Sequence, residues 1–467
     1  MKIGFASTKI TPDLSERKEP LQLGGYSPRK LCTGIHDDLF ARAVYIEGEE
    51  QDPSSHILMM VCDLLSIDGR LYDIVAKRIA EQIPVNPKNI LISGTHTHHG
   101  PDFRGLFRPG GNLQLIKGFL FPKPQRGELI EVGKKLLKVA IKAYEARKEG
   151  KIGAAQTKIP PDERVILNRR EPSDLDILDY PLTVIKITGG NLEDDRSMGV
   201  IVSYACHGTV LPRENTLITA DYVGYLINSL KEKIGNPKTE VLYFNGPCGE
   251  INPLSQKLLK KINTKGPDKL TLADIYNQKG TWEDAQHVGG VIAKYAFKTL
   301  EKIKCQEMKD IQAFRHKIRI PIKEYPYGGD LLSTLNRVLY RIKLKLFIWL
   351  KKLRILQSNI FFDVDELKKG GHVNSHIQWI KLGTILIGTA PGEYFMELGK
   401  EVINYAEQLF PNYTPFLVEL ANDSIGYLYT VEAFRKGGYE SSFSIIPLGG
   451  RFITMKLKRS LHILRKK

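Results

Sequence analysis

Cysteine pairs, long apolar runs and a leader pattern are all missing from this 467-residue sequence. Its five cysteines lie far apart and form no CxxC pair, which argues against a disulfide framework and against a thiolate zinc site. No apolar run reaches the roughly 18 residues that a membrane-spanning helix needs. Residues 1–11 also lack the charged and apolar regions of a secretory signal. We therefore expect a protein that is cytoplasmic or peripherally bound to a membrane.

Acidic residues are missing from two segments, and those segments carry most of the formal net charge of +16. Residues 337–354 contain seven basic side chains, and residues 456–467 contain six more. Removing these thirteen charges leaves about +3 for the remainder of the chain. This distribution disfavours a nucleic-acid groove running over the fold, and no nucleic-acid recognition motif is evident. It favours local docking of the two segments to an anionic surface.

Short apolar strands recur along the chain, and each ends at polar or turn-forming residues. Helical periodicity predicts helices at residues 68–82, 126–149 and 394–408. The expected fold class is mixed α/β, with β-sheets surrounded by helices in a single large domain over residues 1–467. Open α/β proteins build their sites at the carboxyl ends of strands, so we expect six strand ends to share one pocket. These ends carry Asp63, the histidines after residue 95, His207, Glu250, Glu393 and the pair Asn422-Asp423.

The histidine-rich stretch 96–99 gives the first indication of chemistry. His96 and His98 lie two residues apart after a buried strand, so in an extended chain their imidazoles leave the same face of the backbone. Such a pair suits a shared metal ion or substrate, but a zinc site needs further ligands. His207 and Glu393 are the candidates elsewhere in the chain. A core histidine and a helix N-terminal acid are the alternatives, and spacing alone leaves both open.

One segment, at about residues 331–356, stands apart as a basic amphipathic helical insertion. On a helix most of its apolar residues share one face, while its basic residues lie on the flanks and the back. Three interpretations remain open: a core-packed helix with a solvated basic side, an interfacial helix on anionic lipid, or a surface for a partner protein. The second predicts peripheral contact with an anionic membrane through this insertion and the basic C-terminal tail.

Several short segments occur in a characteristic order and at characteristic separations along the chain. They are residues 23–26 (LGGY), 95–101 (THTHHGP), 168–169 (NR), 205–209 (ACHGT), 391–393 (PGE), and 422–423 with 426–427 (ND and GY). On these segments the sequence resembles the catalytic domain of the neutral/alkaline, non-lysosomal ceramidase family, over nearly the whole chain. The resemblance implies a zinc-dependent amidohydrolase that cleaves the N-acyl amide bond of ceramide with a metal-activated water.

The resemblance also implies roles for individual residues. The implied Zn²⁺ ligands are His96, His207, Glu393 and Tyr427. The implied catalytic residues are His98, Arg169 and Tyr439, which would carry a proton or donate hydrogen bonds to the developing oxyanion. For Arg169 the alternative is a surface arginine beside Arg170 in a charged loop.

Two departures from the family pattern limit what the resemblance implies. Asn252 stands where the family has a pocket serine, and Glu250 replaces an aspartate. The amide of Asn252 donates and accepts hydrogen bonds, so we include it among the catalytic candidates and expect it to orient a substrate differently. The family's C-terminal immunoglobulin-like domain is not expected in this chain. A second metal site near Asp63 is therefore not carried over.

The expected function is zinc-dependent hydrolysis of ceramide or a related N-acyl lipid. One alternative keeps the zinc hydrolase and changes the substrate to another amide or ester, as Asn252 suggests. A second alternative, from a different class, is a catalytically silent membrane-binding homologue. No nucleic-acid partner is expected.

Overall fold

The computed structural model describes the chain except for residues 16, 18–20, 27–30, 49–51, 104–125, 190–196, 272–273, 276–277, 309, 322–341, 343–371, 443, 445 and 467. The described strands are β1 (Lys2–Lys9), β2 (Gly34–Ile35), β3 (Phe40–Glu47), β4 (Ile57–Cys62), β5 (Ile90–Gly94), β6 (Lys148–Thr157), β7 (Ile166–Asn168), β8 (Leu182–Gly189), β9 (Ser197–Tyr204), β10 (Leu217–Ile218), β11 (Glu240–Asn245), β12 (Ile251–Pro253), β13 (Ile311–Pro321), β14 (His372–Leu382), β15 (Ile385–Thr389), β16 (Glu393–Tyr394), β17 (Thr414–Val418) and β18 (Tyr427–Leu428). The described α-helices are α1 (Gly69–Ala80), α2 (Arg126–Glu145), α3 (Tyr222–Ile234), α4 (Gln256–Lys265), α5 (Trp282–Leu300), α6 (Met396–Leu409), α7 (Val431–Lys436), α8 (Tyr439–Ser442) and α9 (Gly449–Lys466).

Two sheets form the centre of the protein. The larger has the order β11-β9-β8-β6-β1-β3-β4-β5, and the smaller has the order β13-β14-β15-β17. Three neighbouring pairs are parallel: β4 with β5, β9 with β11, and β15 with β17. Parallel neighbours end at the same edge of a sheet. The segments that follow β5, β9, β11 and β15 carry five of the eight predicted site residues, namely His96, His98, His207, Asn252 and Glu393.

The two sheets pack face to face, and helices cover their outer faces. In β4, Met59 belongs to the core between the sheets, whereas the next residue, Met60, belongs to the core under α1 and α2. Helices α3 and α5 cover the outer face near β8 and β11, and α6 and α9 cover the smaller sheet. The order of layers is helix, sheet, sheet, helix. Because both faces of the central strands are buried, these strands are continuous apolar runs.

The predicted fold class, mixed α/β with sheets surrounded by helices, is confirmed. The helix predicted at 126–149 is wrong at its end: α2 stops at Glu145, and Lys148 and Glu149 already pair with β1. The helix predicted at 394–408 starts at Met396, since Glu393 and Tyr394 form β16.

The basic insertion at about 331–356 lies outside the described residues, apart from Ile342. The basic C-terminal segment is not an extended tail, because it forms most of helix α9. No helix in the described part of the chain has both the length and the apolar character that crossing a bilayer requires.

Candidate metal centre

His96 lies in the turn that follows β5, beside the loop that follows β9. Its backbone φ is 66°, in the left-handed region that a residue other than glycine seldom adopts. His96 N–H donates to Leu64 O at 3.0 Å, and His98 N–H donates to Gly208 O at 3.1 Å. Gly208 leaves room for this contact, since a Cβ there would lie 2.2 Å from His96 O. The two loops are therefore in direct backbone contact, which brings His207 next to His96.

The imidazoles of His96 and His207 face each other through their Nε2 atoms, which lie 2.9 Å apart. His96 Nδ1 lies 2.9 Å from Leu65 O, and His207 Nδ1 lies 3.0 Å from Cys248 O. A carbonyl oxygen can only accept, so these partners assign the hydrogen of each ring to Nδ1. Each Nε2 then points its lone pair toward the other ring. This is the arrangement of metal-binding histidines whose second nitrogen is fixed by a backbone carbonyl.

Glu393 directs a carboxylate oxygen at the same point. Its Oε2 lies 3.5 Å from His96 Nε2 and 3.6 Å from His207 Nε2. This buried oxygen receives no well-formed hydrogen bond from the residues that the structure describes. Burial opposes protonation of His96, but the Glu393 carboxylate together with Glu419 and the Leu65 carbonyl outweighs burial, so the pKa of His96 is raised. Burial and the neighbouring His96 lower the pKa of His207 well below its ordinary value. His96 Nε2, His207 Nε2 and Glu393 Oε2 thus converge on one point, where a bound cation would satisfy all three.

The donor set fits a zinc ion. Imidazole nitrogens and a carboxylate oxygen are the donors of many catalytic zinc sites, which keep one position open. Ligands about 2.0–2.2 Å from zinc in a tetrahedron lie about 3.3–3.6 Å from one another. The separations from Glu393 Oε2 match that spacing, and the distance between the two nitrogens is somewhat shorter. Among the described residues, one group of three metal-capable side chains lies with its ligand atoms within 4.8 Å of one another: His96, His98 and His207.

His98 supplies the third imidazole of the cluster. Its Nε2 lies 3.4 Å from His96 Nε2, and its ring packs edge-on against Tyr26 with centroids 4.8 Å apart. Gly25 makes this position possible, because its φ is 92° and a Cβ on it would lie 2.4 Å from His98 Cγ. His98 therefore lies beside the two facing nitrogens, where it can coordinate a metal or exchange a proton.

Tyr427 reaches the site through backbone pairing with Glu393. Strands β16 and β18 run parallel, with Glu393 opposite Tyr427. Burial raises the pKa of Tyr427 well above its ordinary value, and the Glu393 carboxylate adds to this effect. The phenol is therefore neutral unless a cation binds nearby. The structure thus brings the ligand atoms of His96, His207 and Glu393 together and pairs the backbone of Tyr427 with that of Glu393.

Arg169 is buried beside Tyr427, with its guanidinium carbon 5.7 Å from the centroid of that ring. Its Nε donates to Glu440 Oε1 at 2.8 Å, its Nη1 to Asn252 Oδ1 at 3.1 Å and its Nη2 to Gly249 O. Burial alone would lower the pKa of Arg169, but the Glu440 carboxylate raises it. Its burial excludes the alternative of a surface arginine.

Tyr439 and Asn252 both lie next to Arg169. The ring centroid of Tyr439 is 5.8 Å from the guanidinium carbon and 6.0 Å from the centroid of Tyr427, and 48% of Tyr439 is exposed. Asn252 belongs to β12 and accepts from Arg169 through Oδ1. The predicted catalytic residues other than His98 therefore form one group around Arg169.

The expectation that six strand ends share one pocket is wrong for Asp63. Asp63 Oδ2 accepts from Arg42 Nη1 and from Phe40 N–H, each at 2.8 Å, within the larger sheet. The third histidine of the stretch 96–99, His99, also points elsewhere: its Nε2 lies 3.1 Å from Leu211 O. Both side chains therefore have hydrogen-bond partners outside the metal centre.

The expectation is also wrong for the pair Asn422-Asp423. Asn422 Oδ1 accepts from Ile92 N–H at 2.8 Å and so binds the middle of β5. Asp423 Oδ1 accepts from Gly69 N–H at 3.0 Å, at the start of α1. Glu250 has a similar role, since Met396 N–H at the start of α6 lies 3.0 and 3.1 Å from its two carboxylate oxygens.

Two buried carboxylates near the site are not identified by the sequence analysis. Glu419 accepts from Cys248 Sγ at 2.9 Å and from Cys248 N–H at 3.0 Å, and Cys248 O in turn binds His207 Nδ1. Burial raises the pKa of Glu419 to about 7. Glu419 lies inside the apolar run 416–420, and an acidic residue in such a run indicates a buried carboxylate that needs a partner. The second carboxylate, Glu440, pairs with Arg169 and gives no comparable signal in the sequence.

The fold and the site define a mixed α/β protein with a buried, histidine-rich candidate metal centre. No family model matches the chain. It is similar to the neutral ceramidase of Mycobacterium tuberculosis, with 23% identity over 225 residues, which are 46% of this chain and 33% of that protein. It is also similar to the neutral ceramidase of Drosophila melanogaster, with 29% identity over 255 residues, which are 50% of this chain and 32% of that protein. The match therefore spans about a third of the length of these curated relatives.

Two solved structures share the fold over nearly the whole chain. The crystal structure of neutral ceramidase from Pseudomonas aeruginosa has a TM-score of 0.69 at 16% identity, covering 98% of this chain and 73% of that one. A ceramidase complexed with C2 has a TM-score of 0.70 at 15% identity, covering 100% of this chain and 75% of that one. The chain has the ceramidase fold, and the resemblance to the neutral ceramidase family is confirmed.

Proposed function

We propose that the protein is a zinc-dependent amidohydrolase that releases a fatty acid from an N-acyl lipid, with ceramide as the favoured substrate. One observation carries this proposal: the lone pairs of His96 and His207 and a carboxylate oxygen of Glu393 converge on one buried point. A divalent cation would satisfy all three acceptors, and Tyr427 lies next to Glu393 as a fourth donor. The similarity to neutral ceramidases supports the substrate class.

Zinc held by His96, His207, Glu393 and Tyr427 would supply a water of lowered pKa and polarise the amide carbonyl. His98, at 3.4 Å from His96 Nε2, would accept the proton released as water attacks the amide carbon. The carbon–nitrogen bond then breaks, and the same proton passes to the leaving amine. The products are a fatty acid and a free amine.

Arg169 and Tyr439 would stabilise the oxyanion that forms on the amide carbonyl. A guanidinium group has five N–H donors, and the described contacts of Arg169 use three of them. Two donors are left for a substrate oxygen. The Tyr439 hydroxyl belongs to a side chain that is 48% exposed, so it can meet a substrate that enters from solvent or from a lipid surface.

Asn252 supports a second candidate substrate class within the same chemistry. Its Oδ1 accepts from Arg169, so its Nδ2 remains as a donor. A serine there would offer a smaller group with a rotatable hydroxyl. We therefore include other acyl amides and esters as the alternative to ceramide.

The test combines metal analysis with a substrate panel. Purified protein should contain about one zinc per chain and release fatty acid from ceramide, and H207A should lose both properties. H462N is the matched control, because His462 is an exposed histidine on α9 that binds Tyr405. Zinc binding without ceramide turnover, but with turnover of another acyl amide or ester, would move the proposal to the second substrate class. Folded parent protein that binds no zinc would refute the mechanism.

A further inference from the structure

Helix α9 is fixed to the body of the protein by one face. Ile453, Leu457 and Leu461 are fully buried in the core that this helix shares with the smaller sheet. Trp379 Nε1 in β14 donates to Ser460 Oγ at 3.0 Å, which also fixes the rotation of the helix about its axis. The opposite face is therefore held toward the outside.

The outward face of α9 combines arginines with apolar side chains. Arg451, Arg459 and Arg465 are exposed. Met455 and Ile463 are also exposed, with exposed fractions of 37% and 40%. At about 100° per residue these five side chains fall within roughly half of the helix circumference. Met455 and Ile463 are two turns apart, with Arg459 between them. The face is thus amphipathic in its own right, with two apolar side chains surrounded by cations.

The positive charge of this face is not neutralised locally. The sequence contains no acidic residue from 441 to 467. None of the three arginines forms an ion pair with a residue that the structure describes. Lys458, which lies on the same face, differs from them because its Nζ lies 2.9 Å from Glu401. The arginines therefore remain available to an anionic partner.

We infer that this face of α9 docks onto an anionic phospholipid bilayer. Basic residues near an anionic membrane surface contribute about 1 kcal/mol each, and apolar side chains among them insert at the boundary between headgroups and acyl chains. An acidic protein or a nucleic acid would satisfy the arginines but would leave Met455 and Ile463 without an apolar environment. The bilayer accounts for both kinds of side chain.

The helix is joined directly to the strands that carry two of the proposed zinc ligands. The hydroxyls of Thr454 and Tyr394 share a hydrogen bond, and Tyr394 follows Glu393 in β16. At Gly450 a Cβ would lie 2.4 Å from the carbonyl oxygen of Tyr429, two residues after Tyr427. Docking through α9 would therefore hold the metal centre at the surface where an N-acyl lipid resides. This link to catalysis rests on the proposed function, whereas bilayer binding itself does not.

Vesicle sedimentation tests the inference. The full chain should bind vesicles of phosphatidylcholine with about 30 mol% phosphatidylserine and should bind pure phosphatidylcholine vesicles much less. Raising the salt to about 0.5 M should release it. The double variant R459E/R465E should partition at least about thirtyfold more weakly. The matched control is K257E/K260E, which makes the same change of charge at two exposed lysines of α4.

A second variant tests the apolar part of the face. M455Q/I463Q keeps every charge and should weaken binding to the anionic vesicles several-fold while leaving the folded state intact by circular dichroism. Equal binding by R459E/R465E and K257E/K260E would overturn the inference, as would binding to an acidic protein or DNA with none to vesicles. Turnover of a dispersed short-chain substrate is measured separately. Vesicle binding without any turnover would refute the proposed function alone, and turnover without vesicle binding would refute this inference alone.

Discussion

Glu440 Oε1 accepts a 2.8 Å hydrogen bond from Arg169 Nε, and both side chains are almost fully buried. The other oxygen of Glu440 accepts from Arg170 Nη1. Burial opposes ionisation of this carboxyl group, but the two guanidinium groups hold the pKa of Glu440 below its ordinary value. Because Glu440 follows Tyr439 in the chain, the same ion pair fixes Tyr439 beside the arginine that faces Tyr427.

We expect E440Q to be less stable and less active than the parent. The substitution removes the negative charge that compensates the buried Arg169, and breaking a buried pair in this way costs about 3–5 kcal/mol. Urea unfolding measures the loss in the free energy of unfolding. Where the variant is still folded, hydrolysis should fall about tenfold or more, mainly in kcat, because Arg169 and Tyr439 are proposed to act on the transition state.

The control for this prediction is E432Q. Glu432 is also next to a cation, at 3.1 Å from Lys436 Nζ, but both side chains are mostly exposed. Exposed pairs of this kind contribute little to stability. We therefore expect E432Q to unfold at nearly the same urea concentration as the parent. Equal stability of E440Q and E432Q would show that the buried pair has no structural role.

The second prediction concerns zinc and the free energy of unfolding. If zinc binds at His96, His207 and Glu393, a free concentration of about 100 times Kd should raise the free energy of unfolding by about 2.7 kcal/mol. H207A should show no such increase, since it removes one of the two facing nitrogens. Thermal unfolding with zinc, and with a chelator, measures the effect. A zinc-dependent shift in H207A equal to that of H462N would place the ion elsewhere.

The residues that could be predicted from the sequence are those that follow apolar runs. His96, His207 and Glu393 each come after a buried strand, and the resemblance to neutral ceramidases groups them. Local pattern selects such positions because a polar residue at the end of a buried strand needs an explanation, but the same pattern also selected Asp63 and Asn422, which have structural partners instead. The fold class follows from the same alternation of strands and helices.

Other features depend on contacts that local pattern does not contain. Arg169 and Glu440 are separated by 271 positions in the chain, so nothing near either residue shows that the other neutralises it. Glu393 forms a strand because Tyr427 pairs with it, and this pairing prevails over the helix signal that precedes Met396. Sheet order has the same origin, since β1 lies between β3 and β6.

The third prediction concerns Gly25, which makes room for His98. In G25A the new Cβ would lie 2.4 Å from the His98 ring on a backbone with φ of 92°. Left-handed backbone costs an ordinary residue about 1–2 kcal/mol, and the ring must move as well. We expect hydrolysis to fall about tenfold or more while zinc binding persists, because His96, His207 and Glu393 are untouched. Steady-state kinetics and zinc content measure the two effects.

The control for that substitution is G290A in helix α5. A Cβ at Gly290 meets nothing within 4 Å, and alanine is favoured over glycine inside a helix by about 1 kcal/mol. This variant should therefore be slightly more stable and fully active. If G25A were as active as G290A, the His98 ring would be able to move away from the new methyl group without loss of activity, and the prediction would be wrong.

The fourth prediction is a pH dependence that arises from Asp221, the buried N-cap of α3. Burial raises the pKa of Asp221 to about 6 from an ordinary value of 3.8. Its oxygens accept from Tyr222 N–H at 2.6 Å and Leu211 N–H at 3.0 Å, and His99 Nε2 lies 3.7 Å away. Because the folded state holds this proton more tightly than the unfolded chain does, protonation stabilises the fold as the pH falls through about 6.

D221N has no carboxyl group to titrate at this position, so the comparison of parent and variant isolates the effect of Asp221. With pKa values of about 6 in the folded state and 3.8 in the unfolded state, the contribution of Asp221 to the free energy of unfolding should rise by about 1.3 kcal/mol between about pH 7 and pH 5. D221N also loses stability by an amount that does not depend on pH, because its amide N–H would face one of the two backbone N–H donors. The difference in the free energy of unfolding between parent and D221N should therefore shift by about 1.3 kcal/mol in favour of the parent at the lower pH. Urea unfolding at both pH values measures this shift. A difference that stays constant would mean that Asp221 is already protonated at neutral pH, or that the folded protein leaves its pKa at the ordinary value.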